Sequence, residues 1–234
     1  MILKAWLFYC TIADLDDLRV DMKKKYYLSV IAIFKNESAI LDEWICHYVN
    51  EGVDHFYLIN NNSSDEYMVP LKPWIDQKRV TLVNDESKWA QKELYNDYFL
   101  HRASESEWFV VVDLDEFIYA RNGFKTIAEY LKTRSKRIAL ISIPWKMFGS
   151  SGHSSQPRKV VKSFTLRTLY LGNEQKARMT SKRKNNCKSI VRGSALKRFE
   201  IHYSEFKFWL FIEDASGQTI WSRPSSAADD GLDQ

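Results

Sequence analysis

Asp113, Asp115 and Glu116 close an apolar run in the stretch Trp108–Tyr119, WFVVVDLDEFIY. In extended chain, residues two apart project to the same side. The Asp113 and Asp115 carboxylates would then crowd like charge, and desolvation would sharpen their repulsion. A divalent cation relieves it, and hard oxygen ligands select Mg²⁺ or Mn²⁺. Such a cation would also take phosphate oxygens, so the spacing predicts a site for a metal and a diphosphate. The bland alternative is that these acids only cap a turn, a common fate of Asp at strand ends.

These acids need a scaffold, and the flanking sequence supplies one. The β-branched run 26–34 reads as a strand. Ile40, Leu41, Trp44, Ile45, Tyr48 and Val49 then recur at helical spacing, with Ser38 to cap the helix and Gly52 to end it. Strands are expected at 53–60, 79–85, 108–119 and 137–145, and helices at 90–104 and 124–134. Residues 61–66, NNSSDE, read as a polar turn. Continuous apolar runs mean strands covered on both faces, hence an α/β fold with a mostly parallel sheet flanked by helices. In such sheets ligands sit at the carboxyl ends of the strands, where the acids lie.

After residue 146 the pattern loosens. Residues 159–171 alternate like a strand, 176–192 form a basic segment ending in a short strand, and Ser216-Gly217 suggests a hairpin. A single domain is expected over 1–223, with a packing segment at 1–25, a small C-terminal β annex at 173–223 and a disordered tail at 224–234.

The 234 residues suffice for one sizeable core, and 45% hydrophobic with 27% charged residues is ordinary for a globular chain. Cys10, Cys46 and Cys187 are scattered with no CxxC pair, which indicates neither a disulfide frame nor a zinc site and fits a reduced, cytoplasmic setting. The opening apolar stretch is too short to span a bilayer. A formal charge of +4 does not announce a nucleic-acid partner, and none is expected.

Four motifs occur together: Lys-Asn-Glu at 35–37 with Asn-Asn-Ser-Ser-Asp at 61–65, Asp-x-Asp-Glu-Phe at 113–117, Trp-x-x-Phe-Gly-Ser-x-Gly-His at 145–153, and CKSIVR at 187–192 with IHY at 201–203. In this order and spacing, over about residues 27–203, the chain resembles nucleotide-sugar glycosyltransferases of the GT-A fold, more narrowly those of family 2 and family 92. The resemblance implies transfer of a sugar from a nucleotide-sugar donor, often a UDP-sugar, to a glycan or glycolipid acceptor, with Mn²⁺ or Mg²⁺. It implies metal contacts from Asp113, Asp115 and His202, and a catalytic group drawn from Asp113, Asp115, Glu116 and His153. It places Asn36, Glu37, Asn62, Asp65, Lys92, Asp113, Trp145 and Lys188 around the donor. Lys188 is the best placed of the basic segment to neutralise the diphosphate. Packing roles compete for His202, Trp145 and Phe148, and a loop hydrogen bond competes for His153.

Departures and rivals stand beside this. Lys162 occupies the strand where an acidic base is expected, leaving Glu116 and Glu200 as candidates. The same acids could serve a metal-dependent phosphatase or nucleotidyltransferase. Against a haloacid-dehalogenase type stand the mid-chain position and the Glu116-Phe117 continuation. A non-catalytic basic interaction module is the third option. The basic segment would also suit peripheral contact with an anionic membrane surface, at its cytoplasmic face.

Overall fold

The computed structural model describes residues 23–88, 90–167, 187–207 and 210–221. The expected packing segment, most of the basic segment and the tail lie largely outside them. The apolar runs form strands β1 (Tyr26–Phe34), β2 (His55–Asn60), β3 (Val80–Asn84), β4 (Ser106–Val111), β5 (Ile138–Pro144), β6 (Cys187–Arg192), β7 (Leu196–Arg198), β8 (Glu205–Phe206), β9 (Phe211–Asp214) and β10 (Thr219–Trp221). Helices α1 (Ser38–Asn50), α2 (Met68–Asp76), α3 (Gln91–Phe99), α4 (Ile127–Lys132) and α5 (Val160–Ser163) connect them. Eight strands make one sheet in the order β10-β9-β5-β6-β4-β1-β2-β3. Pairings β4-β1, β1-β2, β2-β3 and β5-β9 are parallel, and β6 runs antiparallel between β4 and β5.

Both faces of the sheet are covered, as continuous apolar strands require. Alternate residues feed two layers. Leu28, Val30 and Ala32 of β1 meet Leu41, Trp44 and Tyr48 of α1, Leu71 of α2 and Leu131 of α4. On the other face Ile31 and Phe109 meet Leu94, Tyr95 and Phe99 of α3 with Phe199 and Phe206. The chain therefore switches faces between β1 and β4, and a crevice opens at the carboxyl ends of these two strands.

Several expectations are corrected. Helix α2 stands before β3, where no element is expected. It was hidden by Pro70 and Pro73, but Pro70 falls in the first turn, where the backbone N–H has no helical partner anyway. Residues 160–163 form a helical turn, not an extended strand. Ser38 makes no side-chain cap. Instead Asp65 Oδ2 accepts from the Ser38 N–H at 2.8 Å, so the orphan donor is satisfied from another loop. Gly52 does end α1: its φ is +89°, and a Cβ there would lie 2.5 Å from that of Ala128. Among the described residues of the C-terminal annex, only the β7-β8 pair forms a separate sheet; β6, β9 and β10 join the main one, and β9-β10 is the expected hairpin.

Candidate active site

Strand β4 ends at Val111, and the chain turns there. The Glu116 N–H donates to the Asp113 carbonyl at 3.2 Å, closing a turn over 113–116. Asp113 and Asp115 are thus not two steps of an extended strand, and their side chains part. Asp113 points into the crevice. Its Oδ1 accepts from Gln91 Nε2 at 3.0 Å, and its Oδ2 lies 2.8 Å from the Lys188 ammonium. Asp115 is exposed, and among the described residues no hydrogen bond or ion pair engages it.

Lys188 arrives on β6, which runs beside β4. Its side chain is 2% exposed, and its ammonium also meets Glu116 Oε2 at 3.2 Å and the Ile201 carbonyl at 3.2 Å. The same Glu116 oxygen accepts from the Asp113 N–H at 2.9 Å. Burial pushes the Glu116 carboxyl up, against the pull of the Lys188 charge. Helix α1 pins this turn from below. Trp44 Nε1 donates to the Asp113 and Glu116 carbonyls at 3.2 and 3.1 Å, and the Tyr48 hydroxyl donates to the Glu116 carbonyl at 3.0 Å.

Beside Asp113, a cleft of about 230 Å³ opens at the carboxyl end of β1. Phe34, Lys35, Asn61 and Gln91 line it. Asn36 latches its rim: in the left-handed region at φ +56°, it accepts from the Ser64 N–H at 2.7 Å. Asn62 is exposed on the same rim. Glu37 is raised by burial first, then by the Asp115 and Asp65 charges, so these three carboxylates share one edge. Asp65 Oδ1 is buried without a hydrogen-bond partner among the described residues. On the opposite side, Trp145 stands edge-on to His202 with ring centroids 5.1 Å apart. His202 is lowered by burial and by the Lys188 charge, and its Nδ1 has no partner among the described residues.

The structure thus gathers Asp113, Glu116, Lys188, His202 and Trp145, with Glu37, Asp65 and Asp115 at the neighbouring edge. It leaves others outside. Lys92, expected at the donor, faces Glu200 at 3.7 Å and Glu93 at 4.0 Å. His153 is exposed in its loop, its ring 5.9 Å from Phe164, and no hydrogen bond links it to Asp113. Lys188 was expected to face a diphosphate, yet it is buried as the counter-ion of Asp113 and Glu116. Glu116 is turned inward by the same contacts. Gln91 went unnoticed in the sequence, because an amide in an amphipathic helix carries no motif.

The expected metal set fares differently from the cleft. Among the described residues no group of three His, Cys, Asp or Glu side chains converges to hold a metal ion. Asp113 has both oxygens engaged, and the adjacent ammonium already supplies the positive charge. An ion caged by Asp113, Asp115 and His202 does not fit this arrangement. Of the two aspartates of the motif, Asp115 is the one whose carboxylate stands open among the described residues.

The family model for glycosyltransferase family 92 matches residues 24–208. A glycosyltransferase family 92 protein of Oryza sativa subsp. japonica is 29% identical over 145 residues, covering 59% of this chain and 24% of that protein. One from Ricinus communis is 24% identical over 153 residues, covering 63% of this chain and 27% of that protein. The matches thus span about a quarter of these relatives' length. Among solved structures, S. aureus TarS 1-349 aligns with a TM-score of 0.42 and 15% identity over 72% of this chain and 48% of that one. Glucosyl-3-phosphoglycerate synthase from Mycobacterium tuberculosis aligns with a TM-score of 0.41 and 13% identity over 73% of this chain and 58% of that one. With the family model spanning well over half of its residues, the chain belongs to glycosyltransferase family 92.

Proposed function

We propose that this protein transfers a sugar from a nucleoside diphosphate donor, a UDP-sugar, to the hydroxyl of a glycan or glycolipid acceptor. The observation that carries this reading is Asp113, fixed by Gln91 and Lys188 at the crevice between β1 and β4, beside a cleft of about 230 Å³. Such a crevice is where open α/β sheets bind nucleotides. The cleft takes the nucleoside. Asp65 Oδ1, buried and without a partner among the described residues, offers an acceptor for a ribose hydroxyl or a base N–H.

Trp145, half exposed beside His202, forms the sugar end of the site. In the reaction the bond from the anomeric carbon to the diphosphate oxygen breaks, the nucleoside diphosphate leaves, the anomeric carbon bonds to the acceptor oxygen, and the acceptor's proton passes to solvent. Lys188 does not reach the diphosphate. It is a positioning residue that holds the Asp113 carboxylate in place. Mn²⁺ or Mg²⁺ would enter with the diphosphate at Asp115, the one open carboxylate of the motif. The membrane-surface contact and the cytoplasmic setting belong to the same proposal.

UDP binding tests the reading. Saturating UDP raises the unfolding midpoint by on the order of 5 °C. Asp113→Asn removes most of that gain. Asp115→Ala removes only the increment that Mn²⁺ adds. A chain that ignores UDP but hydrolyses p-nitrophenyl phosphate would replace this reading with the phosphatase one.

A further inference from the structure

A second cleft, of about 400 Å³, lies at the other end of β1. Tyr26 and Tyr27 line it, whereas Phe34 lines the nucleoside cleft. Eight residue steps at ~3.3 Å put the two about 26 Å apart. The second cleft is therefore separate from the candidate active site, and its argument does not depend on the donor.

Its walls are built from cations on an aromatic floor. The Arg192 guanidinium lies 4.0 Å over the buried Trp108 ring and is spent on the framework, bonded to Glu107 and to the Ile138 and Ser135 carbonyls. Arg134 is likewise committed, to Glu213 at 2.7 Å. The rim cations are not held by carboxylates, although Lys24 Nζ donates to the Ser104 carbonyl at 2.9 Å. Lys132 and Lys136 are exposed, and among the described residues no carboxylate pairs with them or with Lys23 and Lys24. Glu107 is the one carboxylate of the lining, and Arg192 holds it. The Lys132 ammonium stands 5.6 Å from the Tyr27 ring centroid, so charge and ring face the same space.

Uncompensated like charges around a concavity focus a positive potential and attract an anion. The volume suits a small molecule with a ring, and a lone phosphate would leave the aromatic floor bare. We propose that this cleft binds a ring bearing more than one phosphate group. Lysine ammonium groups on the rim take the phosphates, and Tyr27 takes the ring face. A soluble polyphosphorylated cyclitol and the headgroup of a phosphoinositide share this chemistry.

Titration calorimetry with inositol hexakisphosphate and inorganic phosphate tests the site. The hexakisphosphate should bind, and its affinity should fall as salt rises. Lys132→Glu/Lys136→Glu should weaken it at least about tenfold, while the stabilisation by UDP stays unchanged. Lys132→Ala/Lys136→Ala serves in its place where charge reversal costs folding. Vesicles of phosphatidylcholine with a phosphoinositide give the source. Capture that inositol hexakisphosphate displaces assigns a lipid headgroup, and hexakisphosphate binding without capture assigns a soluble ligand. No hexakisphosphate binding, equal affinity in the variants, inorganic phosphate binding as tightly as the ring, or phosphatidylserine vesicles captured equally well would each overturn the proposal.

Discussion

Lys188 carries an ammonium that is 2% exposed, and such a charge survives burial only with close partners. It has them in Asp113, Glu116 and the Ile201 carbonyl. Removing the cation strands two carboxylates. Lys188→Met should therefore cost about 3 kcal/mol in urea unfolding, toward the low end for buried pairs because Asp113 keeps some solvent. It should also weaken UDP binding, since Gln91 alone then holds Asp113. The motif around Asp113 was legible, because acids at the end of an apolar run contradict their neighbours' chemistry. The role of Lys188 was not. In the chain it is one basic residue among many, and its partner lies 75 residues away.

Helix α1 shows the same division between periodicity and contact. The spacing of Leu41, Trp44 and Tyr48 marks a buried face, and all three are buried. What that face does for the site lies in the indole and phenol groups. Trp44 Nε1 and the Tyr48 hydroxyl satisfy carbonyls of the 113–116 turn, about 70 residues on in the chain. Trp44→Phe keeps a ring in the core but takes one of two donors from each of the Asp113 and Glu116 carbonyls. The expected loss is about 2 kcal/mol in chemical denaturation, with a weaker UDP response because the turn that presents Asp113 and Asp115 loosens. The turn also explains why the expected carboxylate pair comes apart. The period of an extended strand puts residues two apart on one side only while the strand lasts, and β4 stops at Val111.

Across the molecule, two clefts lie at opposite ends of β1, and stability carries a pH signature from the core. His55 on β2 is stacked on Tyr26 with centroids 4.3 Å apart, and its Nε2 lies 2.8 Å from Thr81 Oγ1. Burial, then the Lys25 charge, lowers its pKa to about 4. The unfolded chain takes this proton near pH 6.5, while the folded chain resists until about 4. The stability due to a neutral His55 is thus complete above pH 6.5 and is lost as pH falls toward 4. His55→Phe should flatten that limb in urea unfolding measured from pH 7 to 4.

Hydropathy period, β-branched runs, the Ser216-Gly217 turn and the Asp-x-Asp spacing were enough for the α/β class, for eight of the described strands and for the end of the sheet where the chemistry lies, because each depends on neighbours in the chain. Strand order, the burial of Lys188, the parting of Asp113 from Asp115 and the basic cleft behind β1 came only with the folded molecule. Each joins side chains tens of residues apart, and no local pattern records which distant partner a charge will meet once the layers close.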